Sequence, residues 1–127
     1  MAPMKGTCRV VLADDVAEIR MLLRLTLELD GRFEIVGEAA NGKEAVQLAA
    51  DEHPDVVILD LAMPVMDGFT AIPEICKNCP ETKILVLSAF DPSTADQVLA
   101  LGADAYMVKG ETIHDSVVPE LMELCAG

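Results

Sequence analysis

Four short apolar runs in this chain each lead into a polar group suited to phosphorus or metal chemistry. Arg9-Val10-Val11-Leu12-Ala13 is followed by Asp14-Asp15, Val56-Val57-Ile58-Leu59 by Asp60, Ile84-Leu85-Val86-Leu87 by Ser88, and Ala105-Tyr106-Met107-Val108 by Lys109. As parallel strands of one open sheet, the runs would deliver these side chains to its carboxyl edge, where ligands bind at the crevice made by a reversal of strand order. Three carboxylates and one ammonium then share a pocket. Close carboxylates repel unless a cation neutralises them, and a hard divalent ion with oxygen ligands, Mg²⁺ first, is the natural one. With that ion and Lys109 balancing phosphoryl oxygens and Ser88 donating its hydroxyl, a free oxygen of Asp60 can act as a nucleophile toward phosphorus.

Each residue also has a plainer reading. Taken alone, Asp14-Asp15 reads better as a cap on the next helix. Asp60 resists such a reading, because an isolated carboxylate closing a four-residue apolar strand is costly without a cation. Ser88 alone is uninformative. Lys109 is the only Lys or Arg between Ile84 and Gly127, against seven acidic residues, although a snorkelling surface lysine has the same signature.

The elements that must position these groups alternate as short β-type runs and longer helical patterns, five times over, which is the signature of an α/β domain. A helix is expected from about Val16 to Asp30, with Ile19, Leu22, Leu23 and Thr26 inward and Gly31 as its stop. Phe33 to Ala39 alternates as a half-exposed edge strand does, Asn41-Gly42 is a turn, and Lys43 to Glu52 a helix with Ala45, Val46 and Ala49 inward. Val56–Leu59 and Ile84–Leu87 are continuously apolar, as strands covered on both faces must be. A third helix is expected from about Asp67 to Asn78, with Pro73 awkward unless it lies in the first turn. A fourth runs from Pro92 to Leu101 before Gly102, and a fifth ends near Cys125, with Pro119 marking a kink or a late start.

Composition bounds the function. The 127 residues carry 22 acidic and 9 basic side chains, a formal charge of −13, with 52% hydrophobic content. That is one foldable domain whose charge repels phosphate backbones and anionic lipid, and its basic residues form no patch, so neither nucleic acid nor membrane is an expected partner. No apolar run approaches the ~20 residues of a membrane helix, and the Met1–Thr7 start lacks a signal-peptide core, so a cytoplasmic location is expected. Cys8, Cys76, Cys79 and Cys125 are too irregular for a disulfide framework, and reduced thiols are expected. Cys76-Lys77-Asn78-Cys79 has redox-motif spacing but falls at a helix end, whereas an activated cysteine wants a helix start. His53 and His114 are distant from it in sequence and read as surface residues rather than zinc ligands.

Taken together, Val10-Val11-Leu12-Ala13-Asp14-Asp15, Ile58-Leu59-Asp60-Leu61-Ala62-Met63-Pro64 with Met66-Asp67-Gly68, Leu87-Ser88-Ala89, and Gly102-Ala103-Asp104-Ala105-Tyr106 with Lys109 resemble the receiver domain of bacterial two-component response regulators. The resemblance covers about Arg9 to Leu124, within a single domain 1–127, and is closest to receivers of the helix-turn-helix-output subfamily. It implies a (βα)5 flavodoxin-like, doubly wound α/β fold with a five-stranded parallel sheet in order 2-1-3-4-5. It further implies that Asp60 accepts a phosphoryl group from a sensor histidine kinase or phosphotransfer protein. Asp15, Asp60 and the Ala62 carbonyl would ligate Mg²⁺, with Asp14 acting through water. Ser88 and Lys109 would contact the phosphoryl group, and Tyr106 would turn inward as Ser88 moves. Kinase docking would use the first helix, with Met21 and Leu25 exposed, and the signal would pass to an output domain or protein.

This chain departs from the family pattern in three ways. Gly110 stands where many receivers have a cis-linked proline. Ala62 and Phe90, each two residues past a site residue, cannot orient an attacking water, which implies slow self-dephosphorylation. No output domain follows Leu124, as in a stand-alone receiver or a truncated chain. The fourth-helix, fifth-strand, fifth-helix face carries Asp91, Asp96, Asp104, Glu111, Asp115, Glu120 and Glu123, which opposes a symmetric salt-bridged dimer. A monomer is expected when unphosphorylated, with a phosphorylation-dependent dimer as the alternative. Two competing functions are a phosphorylation-independent interaction module and an aspartyl-nucleophile phosphohydrolase. The second lacks a general acid at Ala62.

Overall fold

The computed structural model describes residues 7–89, 91–110 and 113–126, except the side chains of Ile113 and His114. Five strands, β1 (Cys8–Ala13), β2 (Phe33–Ala39), β3 (Val56–Leu59), β4 (Lys83–Ser88) and β5 (Ala105–Val108), pair in parallel in the order β2-β1-β3-β4-β5. The helices between and after them are α1 (Ala17–Asp30), α2 (Gly42–Glu52), α3 (Gly68–Asn78), α4 (Ala95–Leu101) and α5 (Ile113–Ala126). The expected α/β class and strand order are both present. Strand order reverses between β1 and β3, so the crevice opens beside Asp14 and Asp60.

Two apolar layers flank the sheet, and alternation along β1 divides them: Val11 and Ala13 face one layer, Val10 and Leu12 the other. The first layer closes with Ala45, Ala49, Ile72 and Ile75 of α2 and α3, and the second with Leu23, Leu27, Val117 and Leu121 of α1 and α5. β3 is buried along its whole length, as its unbroken apolar run requires. β2 is the half-exposed edge strand, with a bulge that skips Val36 between the pairs Val10–Ile35 and Val11–Gly37.

Several sequence expectations need correction. The inward face of α1 is set by Leu23 and Leu27 with Ile19 packed beside them, and Leu22 is 37% exposed, because it falls outside the narrow stripe that α1 turns to the sheet. Asp14-Asp15 does not cap α1: its N-cap is Val16, with no side-chain cap bond. Gly42 is the first residue of α2 rather than part of a turn, because Asn41 caps the helix by accepting from the Glu44 N–H. Asp67 caps α3 by accepting from the Thr70 N–H, which leaves Pro73 inside the helix, on its exposed face, one backbone bond short. The fourth helical segment begins as a 3₁₀ turn, Pro92–Thr94, before α4 proper. Pro119 lies within α5.

The largest correction concerns sulfur. Cys8 and Cys125 are joined by a disulfide with a Cα–Cα distance of 6.2 Å, while Cys76 and Cys79 are free. A separation of 117 residues hid this neighbourhood. Each helix of a parallel sheet returns the chain to the strands' amino edge, so the end of α5 arrives where β1 begins. His53 is exposed at the end of α2 as expected, and the His114 side chain lies outside the described residues.

Candidate functional site

Backbone bonds between strand ends build the carboxyl edge. Asp14 N–H donates to the Ala39 carbonyl (3.0 Å), Asp60 N–H to the Ala13 carbonyl (2.9 Å), and Lys109 N–H to the Ser88 carbonyl (2.7 Å). Asp14, Asp60 and Lys109 are thus each fixed to the neighbouring strand at the point where their own strands stop. The loop after β3 is held from two sides, as Gly42 N–H donates to Met66 (2.8 Å) and Gly68 N–H to Leu61 (2.9 Å).

These anchors bring Asp14, Asp15, Asp60 and Lys109 together. Asp14 and Asp60 are buried, at 3% and 5% exposure, and Asp15 is exposed at the rim. Carboxylate oxygens of the three lie within 4.8 Å of one another, so a single small cation can reach all of them. Lys109 Nζ stands 2.6 Å from Asp14 Oδ2 and 3.4 Å from Asp60 Oδ2, which makes Asp14 its closer partner here. Asp14 Oδ1 accepts the Val16 N–H at 2.8 Å, and Asp60 Oδ1 accepts the Leu61 N–H at 2.8 Å.

Burial, and then the nearby Asp14 charge, push the Asp60 carboxyl above its ordinary value, against the pull of Lys109 and the Leu61 N–H. The protein has therefore gathered negative charge that one ammonium does not balance. All-oxygen donors, close spacing and surplus charge suit a hard divalent cation such as Mg²⁺. Ser88 is buried at the end of β4. Tyr106 is half-buried, and its hydroxyl donates to the Asp91 carbonyl at 3.0 Å. Ala62 is exposed in the loop after Asp60, and Phe90 lies outside the described residues.

Sequence reasoning missed Arg20. Its guanidinium donates to the Asp14 backbone carbonyl (2.5 Å) and to Glu38 of β2 (2.9 Å), and Arg24 grips the same Glu38 at 2.5 Å. Burial would raise the Glu38 carboxyl, but bonds from Arg24 and Arg20 outweigh it and hold the group below its ordinary value. The Asp14-Asp15 turn is thereby tied to the edge strand. The only signal in sequence was an arginine five residues after Asp15.

Residues 10–117 match the family described as the response regulator receiver domain. The chain is 43% identical over 109 residues to a protein-glutamate methylesterase/protein-glutamine glutaminase 1 of Methanosarcina acetivorans, covering 84% of this chain and 31% of that protein. It is 41% identical over 102 residues to the transcriptional regulatory protein LiaR of Bacillus subtilis, covering 80% of this chain and 48% of that protein. The chain thus spans less than half of either relative's length. Among solved structures, the signal receiver domain of the response regulator NarL from Mycobacterium tuberculosis superposes with a TM-score of 0.90 at 32% identity, covering 96% of this chain and 98% of that one. The LiaR and NarL similarities agree with the expected closeness to receivers of regulators with helix-turn-helix outputs. With an acidic cluster and a lysine at the carboxyl edge of a 2-1-3-4-5 sheet, and with that match over most of its length, the chain belongs to the response regulator receiver domain family, a family of phosphoacceptor signalling domains.

Proposed function

We propose that Asp60 is the phosphoacceptor and that Asp14, Asp15, Asp60 and the Ala62 carbonyl form the Mg²⁺ ligand set, Asp14 through water. The carrying observation is the buried Asp60 with Asp14 and Asp15 oxygens within 4.8 Å and Lys109 at 3.4 Å. Bound Mg²⁺ would supply positive charge to the phosphoryl oxygens. Asp60 Oδ1 is occupied by the Leu61 N–H, so Oδ2, on the Lys109 side, is the attacking oxygen. A bond forms from Oδ2 to phosphorus as the donor's bond to phosphorus breaks, phosphohistidine N–P in a kinase. Lys109 then leaves Asp14 to balance a phosphoryl oxygen, and the Ser88 hydroxyl donates to another.

That displacement is the switch. Ser88 moving toward the phosphoryl group makes room for Tyr106, which gives up the Asp91 carbonyl and turns inward, shifting the α4–β5–α5 face between two states. The domain is a signalling acceptor that takes part in its own phosphorylation and dephosphorylation, not a turnover enzyme. Its upstream partner is a sensor histidine kinase or phosphotransfer protein docking on α1, where Met21 and Leu25 are 62% and 52% exposed. Its downstream partner is an output domain or protein, and no described helix is long and apolar enough to cross a membrane, in keeping with a cytoplasmic setting. Asp91, Asp96, Asp104, Asp115 and Glu123 are exposed, which argues against a symmetric salt-bridged dimer and for a partner with a basic or apolar patch; Glu111 lies outside the described residues. A salt-sensitive phosphorylated dimer in gel filtration would contradict this.

Intact-mass analysis after incubation with acetyl phosphate and Mg²⁺ tests the reading. One phosphoryl adduct is expected, lost with a chelator or in Asp60→Asn, and decaying over minutes or longer because Ala62 and Phe90 position no water. A half-life of seconds sinks the slow-decay claim. No adduct, with Tyr106 fluorescence unmoved by beryllofluoride, moves the weight to a phosphorylation-independent interaction module.

A further inference from the structure

The end of the sheet opposite the acidic cluster holds a second chemically capable group. Cys8, 6% exposed, opens β1, and Cys125, half-buried, lies in the last turn of α5. Their disulfide ties the first described strand to the last helix. Cys125 also lines a cavity of about 520 Å³, open to solvent, with Asp55, Lys83, Leu124 and Cys79 on its walls. Of the two bridge cysteines, then, Cys125 lines a space that admits a small molecule and Cys8 is shut in the core. Cys79 is not a rival partner: its thiol is buried, donates to the Ala49 carbonyl at 3.2 Å, and is pushed up by burial, which keeps it protonated.

The helix at the other end of the bridge is lightly held. Among its described residues only Val117 and Leu121 are fully buried, and Pro119 forfeits a backbone bond. Val118, Met122 and Leu124 add partly buried contacts to the same layer, and the covalent tie at the last turn fixes the helix end to β1.

We propose that Cys8–Cys125 is a reversible thiol–disulfide exchange site, entered at Cys125 through the cavity by small thiols of the glutathione class. The thiolate of the small thiol attacks Cys125 Sγ, the Sγ–Sγ bond breaks, and Cys8 leaves as a thiolate and takes a proton. A second small thiol attacks the mixed disulfide on Cys125, freeing its thiol and releasing the small disulfide. Two electrons and two protons pass from two small thiols to the bridge, and the small disulfide is the oxidant for the return. The oxidised form pins the end of α5 to β1, and the reduced form leaves α5 held by non-covalent packing alone, through Val117 and Leu121 with the partly buried Val118, Met122 and Leu124. The exchange stands whether or not Asp60 accepts a phosphoryl group, and its tests need no phosphodonor.

The experiment is thiol mapping by mass spectrometry on the folded full chain equilibrated in glutathione buffers from reducing to oxidising. With exchange acid-quenched and the chain then denatured for alkylation, two thiols, Cys76 and Cys79, should label after oxidising equilibration and all four after reducing equilibration, the chain staying folded throughout the equilibration itself. Reduction should lower the thermal midpoint by about 10 °C, since the bridge closes most of the chain into a loop, and should speed amide exchange in α5 more than in β3. In Cys8→Ser, Cys125 should form a mixed disulfide with glutathione disulfide, whereas in Cys125→Ser, Cys8 should stay unmodified. Cys8 and Cys125 remaining thiols in oxidising buffer, a bridge reduced only after denaturation, or faster modification of Cys8 than of Cys125 would each overturn the proposal.

Discussion

Asp60→Asn should stabilise the metal-free protein, raising its thermal midpoint at neutral pH by about 4 °C, on the order of 1 kcal/mol for a domain of this size. The sign is the informative part, because most buried substitutions destabilise by about as much. Asp60 is buried beside Asp14, both effects raise its carboxyl above the ordinary value, and Lys109 stays paired with Asp14 at 2.6 Å when the Asp60 charge is gone. An acid raised by folding binds more protons folded than unfolded, so stability falls as pH rises from its ordinary value through its raised one. The gain from Asp60→Asn is therefore absent in acid and grows as pH rises through the raised value.

Divalent cation should invert the order. The wild type gains about 1.4 kcal/mol at ten times the dissociation constant, through binding to the folded state only. The variant, short of one carboxylate, gains far less. Thermal melts with chelator and with excess Mg²⁺ should thus cross. A variant that melts below the wild type in chelator contradicts the account of an electrostatically overloaded site.

Sequence revealed the strands and the polar groups at their ends more clearly than it revealed where helices begin. Val56–Leu59 and Ile84–Leu87 are buried on both faces, so every position had to be apolar, and the polar residue that stops each run marks both the edge and the site. Helix starts depended on competing local bonds that patterns do not rank. Asp14 reads as a cap, yet its Oδ1 takes the Val16 N–H and its Oδ2 takes Lys109, a partner 95 residues away in the chain. Pro73 made the expected start of α3 near Asp67 awkward, yet Asp67 caps the helix there and the proline lies inside it.

Long-range pairings were the least legible. Cys8 and Cys125 give no local sign of each other, and their meeting follows only from the winding of the whole chain. The same holds for Arg20, whose partners on Glu38 and the Asp14 carbonyl require α1 to lie across the edge strand. The acidic cluster was foreseen as a set, but which carboxylate Lys109 prefers was settled by geometry: 2.6 Å to Asp14 against 3.4 Å to Asp60.

Gly68→Ala should unfold this protein more easily, although alanine is favoured over glycine in helices by about 1 kcal/mol. Gly68 opens α3 against the back of the Asp60-Leu61 peptide. An added Cβ would stand 2.8 Å from Leu61 Cα and would collide with the Asp60 carbonyl oxygen, which is fixed backbone rather than a movable side-chain tip. Either α3 backs away, losing the 2.9 Å bond from Gly68 N–H to Leu61, or the Asp60-Leu61 peptide shifts. The first route uncovers the layer around Ile72 and Ile75, and the second moves the acceptor carboxylate relative to Lys109 and Asp14. Overpacking of this kind costs about 3 kcal/mol, a midpoint lower by about 10 °C. Adduct formation from acetyl phosphate should slow by roughly tenfold or more even where the variant remains folded, since small misplacements of a reacting group are costly. Gly110→Ala is the control: nothing lies within 4 Å of its added Cβ, and it should change the midpoint by about 1 °C or less. Equal midpoints and equal adduct rates for Gly68→Ala and the wild type would show that the loop after β3 gives way freely, and that close packing of α3 against Asp60 does not position the acceptor.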